Sequence, residues 1–354
     1  MSEQPIHPAP DQLPDYLTDT APGVWEPDIM RGFQRLSLPL GYDDQGPVSA
    51  TLVRRAPADV DWSLPVPGRN CSAEPDTIPV LSVHGWSDYF FNADEAEAFE
   101  QAGYRFYALD LRKYGRSLRS YQTPGFIDSL SNYDDEIRAG LAVLDRLHPG
   151  QQPVLLGHST GALTLSLWTQ RHPGRIRALI MNSPWLELQG NSWVRGMAQA
   201  VVEPLSKISP NSMVNLPHTD SYWQSLSAQA HGEWNLHPLW RPRYSFRVPR
   251  TWLIAVLTGH RLVASGLEIR EPILVLTSRD TKFTMKYQPE VQRADAVIDV
   301  KVTADRAAHL GRTMTLVKIT DALHDVFASA PEVRREALTV ATTWLEWALG
   351  WPDV

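Results

Sequence analysis

Gly157-His158-Ser159-Thr160-Gly161 places a serine between small residues, after the apolar run 153–156 and before the helix-like run 162–170. A serine on a sharp strand-to-helix turn projects its hydroxyl from the end of the sheet. Its small neighbours let strand and helix pass closely. The first amides of the new helix then point at whatever that hydroxyl attacks. The chemistry implied is nucleophilic attack by Ser159. The structural alternative is a tight β–α turn whose serine merely caps the helix.

A serine hydroxyl is a weak nucleophile without a base. Of the eleven histidines, His324 follows the apolar run 314–319, so it sits in a loop at the carboxyl end of a strand. That is where a base could reach Ser159. His158 is expected to pack away from the serine hydroxyl and His84 to organise its own turn. His218, His231, His237 and His260 fall in a segment where surface or substrate-facing roles fit better. A carboxylate should orient the imidazole and come between serine and histidine in the chain. Asp280 and Asp295 both qualify, whereas Asp299 opens the helix-like run 300–310 and reads as its N-cap. Two backbone donors should face the developing oxyanion. The amide of Thr160 is one, and that of Trp86, in the loop His84-Gly85-Trp86-Ser87, is the other.

The elements that must position these groups alternate along the chain. Residues 33–42 and 48–54 read as strands around an Asp43-Asp44-Gln45-Gly46 turn. Buried strands at 78–83, 104–111, 153–156 and 176–181 are interleaved with helices at 93–102 and 132–147, the latter with Ile137, Leu141, Leu144 and Leu147 at helical spacing. Strands resume at 272–277 and 314–319, and a last helix carries Val333, Ala337, Ala341, Trp344 and Ala348. Such alternation predicts an α/β fold with right-handed crossovers and a mostly parallel sheet flanked by helices. The expected organisation is a proline-rich lead-in (1–30), a core in two parts (31–184 and 269–354), and a helical cap insertion (185–268) without clear strands. The residues of 60–79 read as a surface connection.

At 354 residues, one α/β core with one sizeable insertion fits the length. A net charge of −7 offers no basic stripe, so nucleic acid is not expected as a partner. Cys71 is the only cysteine, which excludes an intrachain disulfide and a thiolate metal cluster. The acidic, proline-rich start has no targeting pattern and no stretch is apolar enough to span a bilayer, so a cytoplasmic location is expected. Six of the thirteen tryptophans (Trp185, Trp193, Trp223, Trp234, Trp240 and Trp252) follow the Ser159 turn. They supply either a lipid-like or aromatic ligand site or the packing core of the insertion. The run Trp252-Leu253-Ile254-Ala255-Val256-Leu257 suits a buried helix or a lipid surface.

Together these residues resemble the serine-hydrolase branch of the α/β-hydrolase superfamily, and most nearly monoacylglycerol lipases, lysophospholipases and serine aminopeptidases. His84-Gly85-Trp86 is similar to the family's oxyanion loop and Gly157–Gly161 to its nucleophile elbow. Asp110-Leu111-Arg112-Lys113-Tyr114-Gly115-Arg116-Ser117 is similar to its Asp-x-Arg-Gly-x-Gly-x-Ser turn, with Lys113 in place of the first glycine. The resemblance covers roughly 76–184 and 270–350. It favours Asp295 over Asp280, because Asp295, Val297 and Asp299 follow the monoacylglycerol-lipase pattern. It implies a Ser159–Asp295–His324 triad, a cofactor-independent acyl-enzyme mechanism, and a small apolar or lipid-like ester as substrate. Two alternatives compete: an aminopeptidase, for which Glu187, Glu203 or Glu233 would hold the substrate ammonium, and a non-catalytic module binding an apolar ligand.

Overall fold

The computed structural model describes residues 14–56, 76–188, 212–214 and 219–350. In chain order the strands are β1 (Glu26–Pro27), β2 (Phe33–Asp43), β3 (Gly46–Arg55), β4 (Pro79–Val83), β5 (Arg105–Asp110), β6 (Val154–His158), β7 (Ala178–Asn182), β8 (Met213–Val214), β9 (Val248–Pro249), β10 (Ile273–Ser278) and β11 (Met314–Ile319). The described helices are α1 (Ala93–Gln101), α2 (Asp134–Leu147), α3 (Thr160–Arg171), α4 (Ser221–Leu226), α5 (Arg250–Ala264), α6 (Val300–Ala307) and α7 (Pro331–Leu349). Nine strands form one sheet in the order β1-β2-β3-β5-β4-β6-β7-β10-β11. β1, β2, β3 and β5 pair antiparallel in succession. From β5 to β11 every pairing is parallel.

The parallel strands are apolar on both faces because helices cover both. Leu81, Val83, Leu155, Leu179 and Met181 point into one core with Ile137, Leu141 and Leu144 of α2 and Leu163 and Leu167 of α3. Their strand neighbours Val80, Leu156, Ile180 and Leu274 point the other way, against Phe99 of α1 and Ala337, Ala341 and Leu345 of α7. A one-residue slip would exchange the two sets. All parallel strands therefore end on one edge, where the loops carrying His84–Asp88, Ser159, Ser183 and His324 converge.

The structure departs from the sequence expectation in four places. His237 and His260, expected at the surface or facing a substrate, are buried and bonded to the Pro14 and Trp185 carbonyls. The lead-in is not loose over residues 14–30. Thr20 and Ser37 exchange backbone-to-hydroxyl hydrogen bonds of 2.8 and 2.9 Å, and Asp28 pairs at 2.7 Å with the buried Arg116. Proline-rich composition hid this order, because the anchoring comes from side-chain partners remote in sequence. The stretch between β7 and β10 holds the antiparallel β8–β9 pair as well as helices. The helix expected over 300–310 stops at Ala307, and the last three residues form a tight turn. Residues 1–13, most of the expected 60–79 connection, and 189–211 and 215–218 of the insertion lie outside the described residues, and with them Glu203, Trp193 and His218.

Candidate active site

Ser159 sits between β6 and α3 with φ 53° and ψ −114°, a conformation that L residues avoid. Three neighbouring groups hold it there. Its N–H donates to the Asn182 carbonyl at 3.0 Å, and its carbonyl accepts from Trp185 N at 3.2 Å and Leu163 N at 3.3 Å. A Cβ at Gly157 would overlap the Ala162 backbone, and one at Gly161 would overlap the Val83 and His84 carbonyls. The small residues are thus required by backbone crossings on both sides of the turn.

His324 follows β11, and its Nε2 lies 3.0 Å from Ser159 Oγ. Its Nδ1 lies 2.8 Å from Asp295 Oδ2. A carboxylate can only accept, so Nδ1 carries the proton and Nε2 is left to accept from the serine hydroxyl. Asp295 is fully buried. Its other oxygen accepts from Val297 N at 2.7 Å and Ile298 N at 2.8 Å. Those donors pair that oxygen and leave Oδ2 facing His324. Asp280 is exposed, and among the described residues it contributes only its backbone carbonyl, which accepts the Asp295 N–H at 2.8 Å. Asp299 caps α6 by accepting from Lys301 N and Val302 N.

The loop after β4 is held from below. His84 Nδ1 donates to the Gly85 carbonyl at 2.8 Å, and its Nε2 accepts from Leu111 N at 3.1 Å. Behind it, Asp110 accepts from Phe90 N, Arg116 N and Arg116 Nη1. Lys113, where the resembled turn has glycine, takes φ 63° and sets its Nζ 2.5 Å from Asp43. Gly85 lies so close to Ser159 that a Cβ there would approach the serine Cβ at 3.1 Å. The loop therefore brings the Trp86 residue beside Ser159. Across from it, Thr160 opens α3, and a first-turn amide has no acceptor within its own helix.

A cavity of about 380 Å³ opens over these groups. Trp86, Trp185, Phe246 and Trp252 line its apolar side, with the Trp86 and Trp252 rings 3.8 Å apart between centroids. Trp252, Leu253 and Val256 are buried, so this part of α5 faces the protein interior. His158 donates through Nδ1 to the Asn182 carbonyl at 3.2 Å, and its ring is tilted against the His324 ring with centroids 4.9 Å apart. Burial holds its imidazole below the ordinary histidine range, so it adds no charge beside His324. Sequence reasoning missed Tyr222, Asp88 and Arg241. Tyr222 packs edge-on against His324, and its hydroxyl accepts the Asp325 N–H at 3.1 Å. Asp88 and Arg241 form an ion pair in the cavity wall. Nothing in their local sequence distinguishes them from ordinary surface charges.

The sheet order, the crossovers and the turn bearing Ser159 define an α/β-hydrolase. The family described as Serine aminopeptidase, S33 (Hydrolase_4) matches residues 74–329, and the chain belongs to it. A monoacylglycerol lipase of Mycolicibacterium smegmatis is 29% identical over 140 residues, 38% of this chain and 48% of that protein. The match thus spans about half the length of that relative. Among solved structures, a monoacylglycerol lipase of Paleococcus ferrophilus superposes with TM-score 0.54 at 20% identity, covering 78% of this chain and 97% of its own. A soluble variant of the Saccharomyces cerevisiae monoglyceride lipase, bound to a substrate analogue, gives TM-score 0.57 at 14% identity, covering 96% and 100%. At these identities the structural matches establish the shared fold.

Proposed function

We propose that the protein is a serine-dependent carboxylic ester hydrolase working through an acyl-enzyme, with Ser159 as nucleophile, His324 as base and Asp295 as orienting acid. The observation carrying this reading is the unbroken hydrogen-bonded line from Ser159 Oγ through His324 to Asp295, at the base of an apolar cavity. As Ser159 Oγ attacks the ester carbonyl, its proton passes to His324 Nε2, and Asp295 stabilises the imidazolium formed. The amides of Trp86 and Thr160 serve as the oxyanion donors. His324 then protonates the departing alkoxide, and a water molecule, deprotonated by the same nitrogen, resolves the acyl-enzyme. The apolar wall favours an acyl chain or another apolar group on the substrate, in keeping with the monoacylglycerol lipases among the similar proteins.

Treatment with a fluorophosphonate should label Ser159, and Ser159→Ala should lose both labelling and ester turnover. Undiminished turnover by that variant would reject the mechanism. The family description suggests aminopeptidase activity as a second reading, which needs a carboxylate facing the cavity to hold an ammonium. Glu187 is bound by Arg306 at 2.7 Å and Glu233 is paired with Arg334, and neither lines the cavity. The described carboxylate that does line the cavity, Asp88, is held by Arg241, and Glu203 lies outside the described residues, so the described site favours ester hydrolysis. A non-catalytic binding module is disfavoured because nothing in the Ser159–His324–Asp295 line is interrupted.

A further inference from the structure

Among the described residues, the cavity wall carries more positive than negative charge although the chain as a whole is acidic. Two guanidiniums, Arg241 and Arg247, line it against one carboxylate, Asp88. Arg241 is 7% exposed and is tied through Nη1 to Asp88. The Phe91 ring lies 5.1 Å from its guanidinium carbon and the Tyr222 ring 5.4 Å. Among the described residues its Nε and Nη2 have no acceptor, and Arg247 has no acidic partner. A guanidinium carries five donors, so Arg241 keeps donors free toward a ligand that enters the cavity. Two aromatic faces and one tether also hold the plane of the fork in a fixed direction, the condition for bidentate recognition of a planar or tetrahedral oxyanion.

From this geometry we infer that the site takes an amphiphile with an oxyanion, a carboxylate or phosphate, whose apolar part lies along Trp86, Trp185 and Trp252 and whose charged group is bound by Arg241 and Arg247. The inference rests on the ester-hydrolase reading for its substrate context: the preferred ester carries one anionic group on one arm. It separates this site from one that takes only neutral esters. Asp88 fixes the Arg241 fork and leaves its outer edge to the ligand, while Arg247, at the exposed side, adds a second guanidinium to the wall.

Binding tests this independently of turnover. Decanoate, decyl phosphate and decanol are titrated calorimetrically into the intact protein. At least one of the two anions should bind roughly tenfold or more tightly than decanol, as charge-assisted hydrogen bonds to a guanidinium would give. Which anion wins tells carboxylate from phosphate. Arg241→Gln and Arg247→Gln should each shrink that preference. Arg241→Gln leaves Asp88 unpaired, so if it fails to fold, the exposed Arg247→Gln decides alone. Equal affinity for decanol and both anions would overturn the inference, as would a preference untouched by Arg247→Gln and by any folded Arg241 variant. Neither outcome bears on Ser159 labelling, so a failure here is distinguishable from a failure of the hydrolase mechanism.

Discussion

At the scale of single residues, the discriminating feature is how Asp295 is held. Two backbone amides satisfy one of its oxygens and the His324 Nδ1–H meets the other, so the buried carboxyl group is held in one orientation with both oxygens paired. Removing its charge while keeping its shape leaves His324 free to adopt the wrong tautomer. Asp295→Asn should therefore lower kcat by about 10⁴-fold. Asp280→Asn, at an exposed side chain whose only described role belongs to its backbone, should change it by less than about twofold. Steady-state kinetics on one ester with both variants checks the pair; reversed effects would move the acid to Asp280. Glu95, one layer below, is pushed up to about 8 by burial, with the Asp325 charge adding and the Ser82 hydroxyl opposing. Burial thus favours the neutral acid at this position behind His158.

At the scale of elements, α5 couples cavity shape to stability. Trp252 fills the space against Trp86 and Trp185, and His260, two turns later, donates through Nε2 to the Trp185 carbonyl at 2.9 Å. Truncating Trp252→Ala should cost about 3–5 kcal/mol and raise KM for apolar esters, readable by chemical denaturation and kinetics together. Burial pushes His260 down to about 4, with its bond to Trp185 opposing. The unfolded chain binds this proton near pH 6.5 and the folded protein only near 4. The stabilisation is complete above the unfolded value and is lost as pH falls from about 6.5 toward 4, on the order of 3 kcal/mol in all. His260→Gln should flatten that acid limb of the stability–pH curve; an identical slope in both proteins would count against this assignment.

At the scale of the whole molecule, the first described residues fasten separate parts of the fold. Pro14 and Asp15 accept through their carbonyls from His237 Nε2 and Trp240 Nε1, in the segment between β7 and β10. Asp28 and Asp110, on opposite sides of Arg116, share its fully buried guanidinium at 2.7 and 2.9 Å. Arg116→Met would strand two buried carboxylates and should cost about 3–5 kcal/mol. Adding Asp28→Asn to that variant should recover part of the loss, because one uncompensated charge disappears. Denaturant midpoints of the single and double variants measure this, and strict additivity of the two losses would show that the three groups are not coupled.

Much of the framework was written in local pattern. Alternating apolar runs and helical spacing marked the parallel strands and α2, since each had to bury two faces or one stripe. The glycines around Ser159 marked a turn where backbones cross. The residue types and chain order of Ser159, Asp295 and His324 were also readable, but the distances between them were not. Residue type and chain order left both Asp280 and Asp295 open, and only the family resemblance favoured Asp295; the path of the loop after β10 is what buries Asp295 and exposes Asp280. The tertiary structure alone decided that Asp88 and Arg241, 153 positions apart, meet in the cavity wall. It likewise decided that a proline-rich lead-in is anchored by Ser37, Arg116 and His237. Periodicity records what each element must bury against its neighbours, whereas ion pairs between distant loops leave no period to read.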